Sequence, residues 1–190
     1  MKLADIARID SGYHFRGRIE DDPEGPIAVI QTKDFSNDLR LNPDDLVRIV
    51  PESKVAPYEV ESGNVLFLSR GQNPWAAAIG ELPLTCIVPS SFYILRLDRD
   101  RILPDYLAWF LNSAATLTAL KSIMRGSNIP FISKADLQEL SIPVPPLSVQ
   151  AQIADLNRLH ARERALLNEL SHRKRTLIDA VCAKLAASGS

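Results

Sequence analysis

The stretch "LSIPVPPLSVQAQI", from Leu140 to Ile153, joins two unlike patterns and determines how the chain is organised. An alternating, strand-like run meets three prolines within four positions, Pro143, Pro145 and Pro146. Each proline fixes its own φ and holds the residue before it extended. We expect a helix to follow, with Ser148 as its N-cap and Gln150 and Gln152 as polar cover for the first turn. The joint therefore predicts a globular domain followed by a helix set at a fixed angle.

The helix predicted after the joint is unusually long. Apolar residues recur with a period of 3.6, and neither Gly nor Pro interrupts them before the tail. About 38 residues, from Val149 to Ala186, give roughly 57 Å at ~1.5 Å per residue, longer than a small domain is wide. A terminal helix folded back on the domain is the alternative, but the length favours pairing with a helix of a second copy or another protein. The apolar stripe consists of Val149, Ile153, Leu156, Leu159, Leu166, Leu167, Leu170, Leu177, Ile178, Val181 and Leu185.

The residues before the joint predict a domain of short, mixed elements. A short helix is expected near residues 3–7, and strands at 27–31, 65–69, 85–88 and 91–97. Two helices follow, one with Pro104 at its first position and one from Ser113 to Met124. "SKAD", from Ser133 to Asp136, resembles a capping box and predicts a third short helix. We therefore expect an α+β fold with a mixed sheet over residues 1–146 and one long helix over 147–190, whose small, polar end should fray.

Charge and composition restrict the class of protein. The chain has 190 residues, of which 46% are hydrophobic and 24% charged, enough for one good core. The net charge is −1, so no global field attracts nucleic acid. Residues from Ser148 onward carry seven basic and four acidic side chains, or +3, which leaves −4 on residues 1–147. Any binding of nucleic acid must therefore be local.

Metal and membrane functions find no support in the sequence. Cys86 and Cys182 lie far apart, and the three histidines form no ligand cluster with them. No apolar run approaches the ~20 residues that span a bilayer, and the N-terminus resembles no signal peptide. We expect a reduced cytoplasmic protein without metal or other cofactor and without a membrane role.

Several motifs, in order along the chain, resemble the DNA specificity subunits of type I restriction-modification systems. "ISKADLQELSIPVPPLSVQAQIADL" resembles the junction where a target recognition domain ends and a spacer helix opens with I-P-x-P-P-L-x-x-Q-x-x-I. "ESGNVLFLSRG" and "SSFYILRLDRDRILPDYLAWFLNS" resemble two upstream segments, and "LADIARIDSGYHFRG" the family's opening. Asn64 stands where Asp is usual and Val149 where Glu is usual. The resemblance implies a non-catalytic subunit that recognises double-stranded DNA.

The resemblance also implies partners. Such subunits work with adenine-N6 DNA methyltransferase subunits and, in a restriction system, with a translocase-nuclease. They usually carry two recognition domains, whereas this sequence has one set of motifs and no internal repeat. By analogy we expect a half-subunit that forms a homodimer through antiparallel long helices and reads two inverted half-sites.

Two loops carry the side chains best suited to reading bases. Arg and Lys pair with guanine, and Asn and Gln with adenine. "SRGQNPW" offers Arg70, Gln72 and Asn73, with Gly71 for close approach and Trp75 as a stacking or anchoring ring. "MRGSNIPFISK" offers Arg125, Ser127, Asn128 and Lys134. The alternative for each loop is a turn whose polar groups bond only their own backbone.

Further candidates for DNA contact are weaker. In "SGYHFRGR", a solvated loop competes with phosphate contact as the interpretation. The candidates there are Tyr13, His14, Arg16 and Arg18, and elsewhere Lys33, Ser90 and Ser91.

Two other classes of function compete with this one. "NPW", from Asn73 to Trp75, resembles an amino-methyltransferase motif but lacks its second proline and a Gly-rich cofactor loop. "PDDLVRIVPESK", from Pro43 to Lys54, contains the acidic residues and lysine of a metal-dependent nuclease at too short a spacing. A coiled-coil adaptor that binds protein rather than DNA is the main alternative, because the domain is nearly neutral.

Overall fold

The computed structural model describes residues 1–188. The chain divides into two compact units, Met1–Ala151 and Gln152–Ser190. The expectation of a frayed end at Gly189 and Ser190 lies outside the described residues. The first unit contains eight strands: β1 (Ala7–Ser11), β2 (Ile27–Val29), β3 (Val47–Ile49), β4 (Glu59–Val60), β5 (Val65–Leu68), β6 (Trp75–Ala78), β7 (Cys86–Ile87) and β8 (Phe92–Leu97). The helices are α1 (Pro104–Leu111), α2 (Ala114–Ser122), α3 (Lys134–Gln138) and α4 (Leu147–Ser188). Short 3-10 turns lie at Leu3–Asp5, Thr32–Asp34 and Ala56–Tyr58.

The strands form two four-stranded sheets. The first has the order β1-β8-β5-β6 and is antiparallel throughout. The second has the order β3-β2-β7-β4, in which β2 and β7 run parallel and the other pairs antiparallel. Side chains of both sheets meet in one buried cluster that includes Ala28, Leu66, Cys86 and Ile94. The predicted α+β class with a mixed sheet and a long C-terminal helix is confirmed.

The expected helices are present, and local sequence explains where they begin. Pro104 occupies the first helical position of α1, where its missing N–H costs no hydrogen bond. Ser133 caps α3, because its Oγ accepts a hydrogen bond from the backbone N–H of Asp136 at 3.1 Å. The short helix predicted at residues 3–7 is only the 3-10 turn Leu3–Asp5, since Ala7 already belongs to β1.

The joint differs from two expectations, the N-cap at Ser148 and the surface position of Gln150. The strand-like run before the prolines forms only an isolated bridge between Lys2 and Ser141, because proline cannot donate to a longer ladder. Helix α4 begins at Leu147, and the Pro146 carbonyl accepts its first backbone bonds from Val149 and Gln150. Ser148 therefore lies inside the first turn and is not the N-cap.

Gln150 is a second correction at the joint, because it is fully buried rather than polar cover. Its Oε1 accepts a hydrogen bond from the backbone N–H of Leu103 at 2.9 Å. Its Nε2 donates to the carbonyls of Arg101 and Pro145, each at 2.8 Å. One side chain thus connects the first turn of α4, the prolines and the start of α1.

From Leu156 onward, the apolar stripe of α4 is exposed. Leu156 is 69% exposed, Leu177 65% and Leu170 56%. A regular row of exposed apolar side chains is unfavourable in water. Pairing with another helix would bury these side chains.

Candidate nucleic-acid interface

The first predicted loop connects β5 to β6 and is held open towards solvent. Ser69 is buried at the end of β5, whereas Arg70, Gln72 and Asn73 are exposed. Gly71 has φ +109, a conformation that favours glycine. The loop therefore presents three polar side chains from a fixed strand end.

The second predicted loop is a closed hairpin. The backbone N–H of Arg125 donates to the carbonyl of Phe131 at 2.9 Å, and that of Phe131 donates to Arg125 at 2.8 Å. Gly126 has φ +94, and a Cβ there would lie 3.0 Å from the carbonyl oxygen of Ile129. Ser127 and Asn128 are exposed at its tip.

Backbone hydrogen bonds join these two loops, which we call the paired loops (Arg70–Asn73 and Arg125–Phe131). The N–H of Gly71 donates to the carbonyl of Pro130 at 2.8 Å, and the N–H of Ile132 to that of Ser69 at 2.9 Å. Arg70 and Phe131 also form an antiparallel bridge. Segments more than 50 residues apart in sequence thus form one surface, a proximity that no sequence pattern indicates.

The serine candidates and Tyr13 lie next to the paired loops. Both the backbone N–H and the Oγ of Ser69 donate to the carbonyl of Ser91 at 2.9 Å. The N–H of Ser90 donates to the carbonyl of Tyr13 at 2.9 Å. Tyr13 itself is buried, with its hydroxyl 2.9 Å from Ser53 Oγ. The side chain of Tyr13 therefore belongs to the cleft that Ser53 and Tyr58 also line.

Residues 13–18 line a cleft. His14, Arg16 and Arg18 border a cavity of about 600 Å³ together with Glu52 and Tyr58. The ring of Tyr13 packs edge to face against Tyr58, with centroids 5.3 Å apart. This cleft has room for a phosphate or a planar ring, but its acidic Glu20, Asp22 and Glu52 oppose an anion.

Trp75 serves as an anchor. Its ring packs edge to face against Phe35 at 4.8 Å and Phe92 at 5.5 Å, and the residue is only partly exposed. Lys33 is exposed in the 3-10 turn that ends beside Phe35. The aromatic contact therefore links the Lys33 turn to the first of the paired loops.

The polar side chains of the paired loops differ in how they are held. Asn73 Oδ1 accepts a hydrogen bond from Lys121 Nζ at 3.1 Å, and Arg125 pairs with Asp136 at 2.9 Å. Arg70, Gln72 and Asn128 have no hydrogen-bond partner within residues 1–188. Lys134 is exposed at the first position of α3.

Sequence reasoning missed Lys121, Ile129 and Phe131. Lys121 lies in the last turn of α2 and reaches the first loop. Ile129 is 67% exposed and Phe131 38% exposed, so the hairpin also offers apolar contact. A basic residue ending a helix just before a polar loop was the available signal for Lys121.

Away from the paired loops, charged side chains of the two sheets form ion pairs with each other and hydrogen bonds to the backbone. Burial alone would raise the pKa of Asp10, but hydrogen bonds and charge from Arg96 and Arg8 outweigh burial and hold that pKa below its usual value. Arg96 Nε lies 2.9 Å from Asp10, and its Nη2 donates to the Glu59 carbonyl at 2.7 Å. This network links the two sheets and uses charge that would otherwise be available for a ligand.

The residues of the nuclease alternative lie at the surface. Asp44, Glu52 and Lys54 are exposed around the short strand β3. Within residues 1–188, no group of three or more His, Cys, Asp or Glu side chains could hold a metal ion. In the same part of the chain, no helix is long and apolar enough to cross a membrane.

These observations define a mixed-sheet domain with a paired-loop surface, followed by a long helix. The profile of the type I restriction modification DNA specificity domain matches residues 1–172. The chain belongs to that family. No curated protein matches the sequence significantly.

Solved structures of type I restriction-modification subunits share the fold. The S subunit from M. genitalium is 14% identical with a TM-score of 0.54, covering 82% of this chain and 37% of that one. The HsdS subunit from Thermoanaerobacter tengcongensis is 20% identical with a TM-score of 0.60, covering 88% and 38%. A chain from work on complex assembly and conformational transition of the type I R-M system is 22% identical with a TM-score of 0.64, covering 87% and 38%. This chain thus spans somewhat more than a third of the length of these solved chains.

Proposed function

We propose that the unit Met1–Ala151 is a target recognition domain that reads double-stranded DNA without catalysing a reaction on it. The observation that carries the proposal is the backbone pairing of two loops whose exposed side chains suit base edges. Family membership supports the same role.

The chemistry of the paired loops determines what they can read. The guanidinium of Arg70 can donate two hydrogen bonds to O6 and N7 of guanine, and the amides of Gln72 and Asn128 can each make two hydrogen bonds with N6 and N7 of adenine. Arg125 and Asn73 are held by Asp136 and Lys121, which orients them before DNA arrives. Preorganised donors lose less side-chain entropy on binding.

Catalysis is assigned to other subunits. We propose that an adenine-N6 methyltransferase subunit modifies the site that the paired loops select, and that a translocase-nuclease cuts DNA where the system restricts. Two copies of the chain, paired through α4, would present two identical recognition domains to inverted half-sites, since a two-fold protein imposes a two-fold site.

The test removes one base reader and compares it with a matched arginine. Arg70→Ala should lower affinity for the target by roughly five- to 150-fold, because a bidentate arginine contact contributes ~1–3 kcal/mol. Arg101→Ala, which removes the same charge from a residue paired with Asp98 at 3.3 Å, should leave affinity nearly unchanged. The measurement is fluorescence anisotropy in complex with the methyltransferase subunits, on target and scrambled duplexes. Equal losses for both variants on both duplexes would contradict base reading by Arg70.

A further inference from the structure

Arg70, Phe131 and Arg125 form one row across the paired loops, with Phe131 in the middle. Phe131 forms an antiparallel bridge with Arg70 on one side and with Arg125 on the other. Residues directly opposite each other on neighbouring antiparallel strands direct their side chains to the same face. The three side chains therefore share one face of this small ladder, which we call the arginine row.

Backbone hydrogen bonds fix the middle of the arginine row from both sides. The N–H of Phe131 donates to the carbonyl of Arg125 at 2.8 Å, and its carbonyl accepts from the N–H of Arg125 at 2.9 Å. On the other side, the two neighbours of Phe131 bond the two residues that flank Arg70, at 2.8 and 2.9 Å. Since Cα atoms of antiparallel partners lie ~4.5–5.5 Å apart, Arg70 and Arg125 are separated by roughly 10 Å.

Burial identifies this face of the ladder as the outer one. Ser69 and Ile132, which precede Arg70 and follow Phe131, are buried. Phe131 is 38% exposed, the side chain of Arg125 is 64% exposed, and Arg70 is exposed as well. Because successive residues of an extended chain point to opposite faces, the arginine row faces solvent.

The chemistry of the arginine row corresponds to base edges in the major groove. Guanine offers two acceptors, O6 and N7, to an arginine. Arg125 donates from Nη2 to Asp136 at 2.9 Å, which leaves the other donors of its guanidinium for a ligand. Phe131 offers only apolar contact, and thymine is the base that carries a methyl group in the major groove.

We propose that Phe131 is a specificity-determining residue that contacts the 5-methyl group of a thymine located between two guanines, which Arg70 and Arg125 read. The inference deepens the proposed function and rests on it, because the paired loops must enter the major groove. Base pairs follow each other every ~3.4 Å along the duplex, so the roughly 10 Å between the arginines corresponds to about three base-pair steps. The order of the side chains in the row therefore sets the order of the bases.

A wedge between two base steps is another use of an exposed apolar side chain. The backbone bonds argue against it, because they hold Phe131 level with the two arginines rather than ahead of them. Ile129, in the turn of the same hairpin, is 67% exposed and is the better candidate for a wedge. Contact with a thymine methyl requires no unstacking of the bases.

Uracil provides the test, because it differs from thymine only by the missing methyl group. Methylation mapping with the methyltransferase subunits gives the target, and each thymine of a half-site is then replaced in turn by uracil. Fluorescence anisotropy of the same complex measures affinity. One replacement should lower the affinity of the original chain roughly fourfold, the factor expected for burial of a methyl-sized group. With Phe131→Ala, duplexes with thymine and uracil at that position should bind equally.

Three further variants control the comparison. Ile129→Ala removes an apolar side chain from the same hairpin outside the arginine row, and should keep the uracil effect in full. Phe131→Leu retains an apolar side chain and should keep most of the effect, which separates methyl contact from damage to the fold. Arg70→Ala and Arg125→Ala should each relax discrimination at one base pair, and these two base pairs should lie on either side of the thymine.

The outcomes separate the thymine contact from DNA reading as such. A half-site without such a thymine, a uracil effect that survives Phe131→Ala, or a thymine outside the interval between the two guanines would overturn the contact alone, provided that Arg70→Ala still weakens binding to the target. A chain that binds target and scrambled duplexes equally would overturn the proposed function, and the thymine contact with it.

Discussion

Gln150 is the residue on which the joint depends most, although its sequence neighbourhood indicates a surface position. Its side chain satisfies three buried backbone groups, those of Arg101, Leu103 and Pro145. A buried donor or acceptor without a partner costs ~1–3 kcal/mol. The residue therefore acts as a polar link inside an otherwise apolar contact.

Gln150→Leu should lower the free energy of unfolding by about 3 kcal/mol, because the shape is retained while the backbone groups lose their partners. The exposed neighbour provides the control, since Gln152→Leu should change stability by less than about 0.5 kcal/mol. Urea denaturation followed by circular dichroism measures both. Equal effects would show that Gln150 has no special role.

The two cysteines should differ sharply in reactivity. Burial raises the pKa of the Cys86 thiol to about 11, so the thiol stays protonated at pH 8 and is shielded within the core. Cys182 is exposed on α4. Since the thiolate is the reactive form, a disulfide reagent at pH 8 should modify one thiol per native chain and two after denaturation. Cys182→Ser should remove the fast reaction, and modification of the native variant would contradict the burial of Cys86.

At the scale of elements, the hairpin of the paired loops depends on glycine at position 126. Gly126→Ala places a Cβ 3.0 Å from a backbone oxygen at φ +94, and such strain costs ~1–3 kcal/mol. The hairpin should open and the affinity for DNA should fall several-fold, while the thermal midpoint of the whole domain changes little. Gly80→Ala is the control, because nothing lies within 4 Å of its added Cβ. Unchanged binding by Gly126→Ala would mean that the hairpin does not contact DNA.

The elements also show which features of the fold the sequence could reveal. Strands β5 and β8 and helices α1 to α4 were predictable, because apolar runs, Pro104 and Ser133 mark them locally. Strand β6 was missed because three of its residues are alanines, which have low strand propensity. Its position is fixed from outside, by the Asn112 side chain, which bonds both the N–H and the carbonyl of Ala76.

In the candidate interface, too, local features could be predicted from the sequence, whereas contacts between distant segments could not. Residue type alone selected Arg70, Gln72 and Asn128, because few side chains can read base edges. The backbone bonds between Gly71 and Pro130 could not be predicted, since they connect distant segments. The two roles weighed for Trp75 were separated only by its contacts with Phe35 and Phe92, which make it an anchor.

At the scale of the whole molecule, net charge limits what one chain can do alone. With 22 basic and 23 acidic residues, the protein has little general attraction to the phosphate backbone. We expect weak DNA binding by the isolated protein and tighter binding once methyltransferase subunits enclose the duplex. Salt titrations of both states should show a steeper decrease of affinity with salt for the complex. Nanomolar, sequence-specific binding by the isolated protein at physiological salt would contradict this prediction.

The length of α4 should set the distance between the half-sites. Deleting residues 164–170 removes one heptad, keeps the apolar stripe in phase, and shortens the proposed helix pair by about 10 Å at ~1.5 Å per residue. At about 34 Å per turn of ten base pairs, the unread spacer should shorten by up to about three base pairs, with unchanged half-site bases. Methylation mapping in complex with the methyltransferase subunits measures this. Deleting only residues 165–168 is the control, because it puts the two halves of the apolar stripe out of phase and should abolish dimers and methylation together. The original complex could instead recognise a single, uninterrupted target, or the number of unread base pairs could stay the same after the heptad deletion. Either result would mean that α4 does not separate the half-sites.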